Sequence, residues 1–308
     1  MTAPRPWLGV GLVLVMAMCF ATLDTTAKLL GQSLPVLLVL WVRYAVQAVV
    51  MALWLGGRGL RGGGNLFACA HPRFQLLRGS LLLMCSALLF FGVQHMPVAE
   101  FTAVSMLSPV LVALMAALLL REPLQPLRGL LVAGGFAGAL IVVRPGSGLF
   151  GWAALLPLAM AFVYANYQLL TRKLAALEHP LTTHFYTGAV GTAIVSAALL
   201  LSPVDVRGAL TAAPWSLCLL MVFAGLAGTA GHLCLILAVG VAPLAVLMPF
   251  TYTQIGFASL GGWLVFGHLP DGWAWVGMAV VAACGAGSVW MNLRDSATDR
   301  ARTAPVTR

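Results

Sequence analysis

Charged residues are scarce in this chain of 308 residues. Only 8% of them are Asp, Glu, Lys or Arg and 61% are hydrophobic, whereas a soluble globular protein carries about 25% charged residues. This composition excludes a soluble protein and indicates an integral membrane protein, with the lipid bilayer as its surroundings. The net charge of +9 is not accompanied by basic clusters mixed with stacking aromatics, so we expect no nucleic-acid partner.

The sequence also lacks the motifs of enzymes, channels and metal sites. It has no HExxH, no GxSxG elbow and no phosphate-binding glycine loop, so we expect neither an enzyme nor a cofactor. No ring of like charges and no repeated filter segment marks a channel. The six cysteines include no CxxC pair and lie mostly in apolar segments, where cysteine is a small packing residue rather than a metal ligand or a disulfide partner.

Long apolar runs dominate the sequence instead. A bilayer core about 30 Å thick requires roughly 20 apolar residues per helix, and a helix satisfies all of its own backbone groups in lipid. We therefore predict an all-α integral membrane protein with ten transmembrane helices. The predicted spans are Trp7–Leu30, Val36–Leu55, Leu77–His95, Val98–Leu120, Leu127–Val143, Gly151–Leu170, Leu181–Leu201, Trp215–Val239, Leu244–Phe266 and Trp273–Met291.

The distribution of positive charge predicts the orientation. If the N-terminus is cytoplasmic, 13 of the 17 Lys and Arg residues fall in or beside inner segments, and only Arg144 and Arg207 fall in outer connections. The other two, Lys28 and Arg43, lie in or near the membrane. Because one missed span would reverse every later loop, this asymmetry favours ten spans with both termini cytoplasmic.

The midpoint of the ten spans falls at RPGSG, residues 144–148. Each half has five spans, an odd number, so two similar halves would lie in opposite orientations, as in the inverted repeats of many secondary transporters. The sequence predicts a first repeat at 7–144, a second repeat at 148–292 and a cytoplasmic tail at 293–308.

Three segments carry a resemblance to a known family. LSPVLVALMAALLLREP at 107–123, GGFAGALIVVRPG at 134–146 and PFTYTQIGFASLGGWLVFGHLPDGW at 249–273 resemble the EamA family of the drug/metabolite transporter superfamily. The resemblance implies a ten-helix carrier of two five-helix repeats around a central cavity, in the inner membrane of a bacterium. LDTTAKLL at 23–30 and PFTYTQ are most similar to a bacterial branch that includes riboflavin and S-adenosylmethionine carriers.

Polar residues in the first half are candidates for the substrate or coupling site. Asp24 in the first span and Arg43 in the second both lie roughly 10 Å below the outer surface at 1.5 Å per residue. We predict an Asp24–Arg43 ion pair, which is either a structural clamp or part of a substrate or proton site, unless a short first span makes Asp24 interfacial. Lys28 stands one turn nearer the water. Glu100 either complements a helix N-terminus or lines the outer mouth of the cavity.

Polar residues in the second half complete the candidate set. Thr251, Tyr252, Thr253 and Gln254 lie near the midplane of the ninth span, where polar groups either join helices or bind substrate. Candidate residues elsewhere are Asn166 and Tyr167 in the sixth span, His232 in the eighth, and Tyr44 and Trp263, whose rings would stack on a planar solute. For His232 a packed role and a proton-coupling role both remain open.

These features favour a secondary carrier that works by alternating access. Both acidic and basic side chains lie in the membrane. We therefore expect the substrate to be a small polar or zwitterionic organic metabolite of amino-acid to vitamin or nucleoside size. A substrate or proton gradient would drive it, and the protein would be a monomer or a weak homodimer. The alternatives are a non-transporting membrane receptor or structural protein and, more narrowly, a multidrug exporter.

Overall fold

The computed structural model describes residues 6–58, 66–108, 110–112, 114–115, 126–144, 150–175, 177–241, 247 and 250–303. Within these ranges the regular elements are helical and no strand is present. The helices are α1 (Pro6–Gly31), α2 (Val36–Arg58), α3 (Pro72–His95), α4 (Val98–Ser105), α5 (Pro126–Val143), α6 (Leu155–Ala175), α7 (Pro180–Leu201), α8 (Val206–Ala212), α9 (Trp215–Val241), α10 (Thr253–Phe266) and α11 (Gly272–Thr303). A 3-10 turn at Gly151–Ala154 leads into α6.

Among the described residues, six helices are long and apolar enough to cross a membrane. They are α1, α2, α3, α6, α7 and α9, with mean hydropathies between 1.4 and 2.1. Shorter apolar helices occur at Val98–Val112, Gly129–Val143 and Gly272–Gly287. Helices of this length and composition satisfy their backbone groups without water, so the chain is a multi-pass membrane protein.

The fourth and ninth predicted spans differ from single regular helices. α4 ends at Ser105 and a turn follows at residues 106–107. In the ninth span, residues 250 and 251 are helical, residue 252 is a turn, and α10 begins at Thr253. Residues 109, 113 and 116–120 of the fourth predicted span and residues 244–246, 248 and 249 of the ninth lie outside the described residues, as do residues 145–149 around the predicted midpoint.

Two other segments refine the sequence-based boundaries. The connection after the seventh span contains the short helix α8, whose N-terminal backbone N–H at Gly208 donates to Asp205 Oδ1 at 2.9 Å, an N-cap of the usual kind. At the other end of the chain, α11 continues to Thr303, so most of the predicted tail at 293–308 is helical.

The helices pack as a bundle around a cavity. α1 packs on α9 and α10, α2 on α7 and α9, and α3 on α6 and α7. α4 lies between α6 and α10, and α5 pairs with α11. Gly138 and Gly277 permit the close approach of that last pair, because a Cβ on Gly277 would lie 2.7 Å from the Gly138 carbonyl oxygen. Small residues at such crossings are typical of helices that pack in membranes.

Candidate functional site

The helices enclose a cavity of about 120 Å³. Side chains from α1, α2, α3, α4, α6, α9 and α10 line it, together with Thr251 just before α10. Most of the lining is apolar and includes aromatic and methionine side chains such as Phe20, Phe101, Met106 and Met160. A mostly apolar cavity with a few placed polar groups is typical of a small-molecule site.

Asp24 is the acidic group of this cavity. It is 5% exposed, and both of its hydrogen bonds end on one oxygen. Oδ2 accepts from Gln254 Nε2 at 3.1 Å and from Thr102 Oγ1 at 3.3 Å. Within the described part of the chain, no donor contacts Oδ1. Two other helices, α4 and α10, therefore hold the carboxylate of α1 and leave half of its accepting capacity unused.

Arg43 is the basic group of the same cavity. It is 3% exposed, and Nη1 donates to Ser86 Oγ at 2.7 Å. The guanidinium carbon lies 4.7 Å from the centre of the Tyr44 ring, and the Tyr44 hydroxyl lies 2.8 Å from the same Ser86 oxygen. Arg43 Nε is buried without an acceptor among the described residues. The hydroxyl of Ser86 and the ring of Tyr44 thus hold the guanidinium of Arg43, which retains unused hydrogen-bond donors.

The predicted ion pair between Asp24 and Arg43 is not formed. Both side chains line the cavity, yet no Asp24 oxygen lies within the 4.0 Å salt-bridge distance of an Arg43 nitrogen among the described contacts. The reason is that each charge has neutral partners on a different helix. Gln254 and Thr102 bind the carboxylate of Asp24. Ser86 on α3 binds the guanidinium of Arg43.

Lys28 and Glu100 lie near one end of the bundle and do not line the cavity. Lys28 Nζ donates to the Met96 carbonyl oxygen at 2.9 Å and so caps the C-terminal end of α3. Glu100 is 3% exposed, and its Oε1 lies 3.0 Å from His268 Nε2. Of the two roles expected for Glu100, its place in the first turn of α4 agrees with a residue at a helix N-terminus, and it is absent from the cavity lining. Its partner His268 lies two residues beyond the end of α10.

His232 lines the cavity beside a second buried histidine. Its ring centroid lies 4.9 Å from that of Phe20 and 5.8 Å from that of His184. The side chain of Gln47 lies 3.2 Å from His184 Nδ1 and donates to the His184 carbonyl oxygen at 3.1 Å. This arrangement packs α1, α2, α7 and α9 together behind one wall of the cavity.

The two candidate residues on α6, Asn166 and Tyr167, do not line the cavity. Asn166 donates to the Phe162 carbonyl oxygen of its own helix at 2.9 Å, and Tyr167 accepts from Arg78 Nη2 at 2.6 Å. Their neighbours Tyr164 and Gln168 line the cavity instead. Because successive helix residues are about 100° apart, an error of one position in the predicted face exchanges the lining residues for packing residues.

Of the four candidate residues just before and within α10, two line the cavity and two make packing or local contacts. Thr251 and Gln254 line the cavity. Tyr252 is 7% exposed and packs against α11, where its hydroxyl oxygen lies against Gly285 and leaves no room for a Cβ there. Thr253 donates to the Phe250 carbonyl oxygen at 2.6 Å within its own turn. Tyr44 lies behind Arg43 and is fully buried, so neither tyrosine faces the cavity. Trp263 is half exposed on the outside of the bundle.

Sequence reasoning missed several hydroxyl groups of the site. Thr102, Ser86, Ser105 and Ser108 line the cavity. The signal that could have found Thr102 and Ser105 is their spacing of three residues in the fourth span, which places them on one helix face. Within the described ranges no group of three or more His, Cys, Asp or Glu residues could hold a metal ion.

Comparisons with known proteins agree with this architecture. Residues 7–144 match the EamA-like transporter family. A riboflavin transporter of Vibrio cholerae is 28% identical over 286 residues, which cover 90% of this chain and 91% of that protein. A riboflavin transporter of Rhizobium johnstonii is 33% identical over 190 residues, which cover 62% of this chain and 61% of that protein.

A solved crystal structure has the same fold. Its TM-score is 0.64 at 19% identity, with 94% of this chain and 98% of that chain covered. The apolar helices, the largely apolar cavity with a few polar groups and these similarities agree with one another. Residues 7–144 are similar to the EamA-like transporter family, and the similar full-length proteins are transporters, so the chain is a membrane transporter rather than an enzyme.

Proposed function

We propose that this chain is a secondary carrier that moves a small polar organic metabolite across the bacterial inner membrane by alternating access. The observation that carries the proposal is the pair of unmatched charges in one cavity, Asp24 and Arg43. Each is held by neutral groups, and each retains unused hydrogen-bonding capacity. Riboflavin is the first candidate solute, since two similar proteins are riboflavin transporters.

The packing of the helices supports two inverted repeats of five spans, at 7–144 and 148–292. Suppose that α1 to α5 correspond to α6, α7, α9, α10 and α11 in that order. The principal helix pairs that pack together in the bundle then each have a counterpart pair that also packs together. The packing of α1 on α9 then matches that of α6 on α3, and α2 on α9 matches α7 on α3. The pairs α2–α7, α4–α10 and α5–α11 map onto themselves, as elements on a two-fold axis would.

The proposed orientation has its own test. The positive-inside asymmetry places Gly63 in the cytoplasm and Arg207 outside, so single cysteines at the two positions should react with an impermeant maleimide from opposite sides of the membrane. Labelling of both from one side would rule out the ten-span topology with cytoplasmic termini.

Transport is tested with purified protein in liposomes. We expect saturable riboflavin uptake that continues until the inside and outside concentrations are equal, and an imposed pH gradient shows whether protons drive accumulation. Gln254→Ala should raise the apparent KM about tenfold or more, because it removes a donor to a buried carboxylate. Thr22→Val on α1 is the matched control, because Thr22 donates to its own helix at Met18.

Two outcomes separate the alternatives. Binding of a solute without its movement would indicate a receptor. Export of lipophilic cations would indicate a multidrug carrier, although Asp24, the one acid among the described residues that line the cavity, shares it with Arg43. A variant Gln254→Ala that transports like the wild type would exclude α10 from the site.

A further inference from the structure

The unmatched groups of the cavity have opposite hydrogen-bonding character. An ionised carboxylate only accepts hydrogen bonds, and a guanidinium only donates them. Asp24 Oδ1 has no donor among the described residues, because Gln254 and Thr102 both bind Oδ2. Arg43 has one described acceptor, Ser86 at Nη1. A solute that satisfies both must donate at one atom and accept at another.

The apolar lining decides between two kinds of solute. A zwitterion brings two full charges that must lose their water among residues such as Leu23, Leu82 and Leu89, and this costs far more than the burial of a neutral amide. A neutral N–H beside a carbonyl group makes the same two contacts at a lower desolvation cost. The polar groups of the cavity therefore favour a neutral donor–acceptor edge.

The remaining lining suits a flat ring. Phe20, Phe101 and Tyr164 present aromatic surfaces to the cavity, and Met106 and Met160 present thioethers. Aromatic and methionine side chains pack well on planar ring systems. Tyr164 is itself supported from behind, since its ring stacks on that of Tyr167 with centroids 5.5 Å apart.

We propose that the transporter recognises a planar heterocycle by a cyclic imide or amide edge, whose N–H donates to Asp24 Oδ1 and whose carbonyl oxygen accepts from Arg43. This proposal rests on the carrier function proposed above. Gln254 and Thr102 are positioning residues, because their two hydrogen bonds turn Oδ1 of Asp24 toward the solute. Ser86 has the same role for Arg43. Riboflavin meets the requirement, since its ring system ends in an imide N–H between two carbonyl groups.

Methylation of the imide nitrogen tests the proposal on the wild-type protein. Uptake of labelled riboflavin into liposomes is measured with 3-methylriboflavin as competitor. As a control competitor we use the analogue in which chlorine replaces both ring methyl groups at the opposite end. We expect the N-methyl compound to compete at least about tenfold less well than riboflavin, because a hydrogen bond to a charged group is lost. The chlorinated compound should stay within about threefold.

A variant tests the role of Asp24 directly. In Asp24→Asn the amide oxygen must accept from Gln254 and Thr102, so the amide N–H₂ takes the position of Oδ1 and opposes the solute N–H. Riboflavin affinity should fall about tenfold or more, and the discrimination against 3-methylriboflavin should shrink to less than about threefold. Thr22→Val should keep the discrimination of the wild type, since Thr22 does not line the cavity.

The same assay is run with uridine, 3-methyluridine and a zwitterion, leucine, so that each failure is distinct. Equal competition by each imide and its N-methyl form would overturn the recognition of the N–H while the carrier function stands. Transport of leucine without competition from any imide would also overturn it. If no solute moves, the carrier function itself is wrong and the recognition proposal fails with it.

Discussion

Arg78 is a buried guanidinium that connects three helices. It lies on α3 and is 5% exposed. Nε donates to Thr171 at 2.8 Å, Nη1 to Thr187 at 2.5 Å and Nη2 to the Tyr167 hydroxyl at 2.6 Å. No carboxylate lies within salt-bridge distance of it in the described part of the chain. Its charge is therefore stabilised by neutral groups of α6 and α7, and these contacts bind both helices to α3.

The size of the effect of Arg78→Met follows from these contacts. Three well-formed hydrogen bonds at about 1 kcal/mol net each predict a loss of about 3 kcal/mol in the free energy of unfolding. The loss should stay below the upper end of the range of about 3–5 kcal/mol for a buried charge deprived of its partner, because methionine leaves no charge behind. Thr171 and Thr187 also keep their bonds to backbone carbonyl oxygens. Arg78→Lys should lose about half as much, since one ammonium cannot reach all three acceptors.

The measurement is an unfolding titration of purified protein in mixed micelles, followed by tryptophan fluorescence. Arg73→Met is the matched control, because Arg73 lies on the same helix and is exposed. Its free energy of unfolding should stay within about 0.5 kcal/mol of the wild type. If the Arg78 and Arg73 variants unfold at the same detergent fraction, the contacts of Arg78 do not hold the three helices together.

Two further predictions concern regions outside the cavity. Gly277→Ala should lower stability by about 1–3 kcal/mol, because the new Cβ meets the backbone of Gly138, which cannot move aside. Gly272→Ala, where nothing lies within 4 Å, is its control, and equal melting temperatures would contradict the packing. Burial raises the pKa of Glu178, but hydrogen bonds from the backbone N–H and the ring of His71 outweigh this and lower it from 4.5. The ionised carboxylate therefore stabilises the fold above that value, and the contribution is lost as the pH falls through the lower folded pKa. Stability measured between about pH 5 and 3 should fall less in Glu178→Gln than in the wild type, and identical curves would refute this.

Apolar runs predicted the long helices well. The first predicted span, Trp7–Leu30, compares with α1 at Pro6–Gly31, and the second, Val36–Leu55, with α2 at Val36–Arg58. Lipid imposes length and composition on such helices, so hydropathy alone is sufficient. The breaks near residues 106 and 252 were not predicted, because no hydropathy signal marks a turn inside an apolar run.

The sequence predicts how far along its helix each candidate residue lies, but not which way its side chain points. Asp24 and Arg43 line the same cavity, as their matching depths in antiparallel spans indicate. Depth along a helix does not show which way a side chain points. The polar residues of α6 stand at nearly successive positions, Tyr164, Asn166, Tyr167 and Gln168, so no single polar face shows the direction. The partners Thr102 and Gln254 are 78 and 230 residues from Asp24 in sequence, a distance over which spacing rules carry no information.

The separation of Asp24 and Arg43 explains how an apolar cavity can favour a transported solute. A closed ion pair would satisfy both charges without substrate, and a solute would then have to break it before binding. The neutral partners of the structure keep each charge in place while leaving one carboxylate oxygen and some guanidinium donors unused. Unused capacity in a buried group costs free energy, and a bridging solute regains it on binding. If the proposed solute bridges the two groups, its binding depends on the relative placement of α1, α2, α4 and α10, and a movement of these helices that separates the groups would release it.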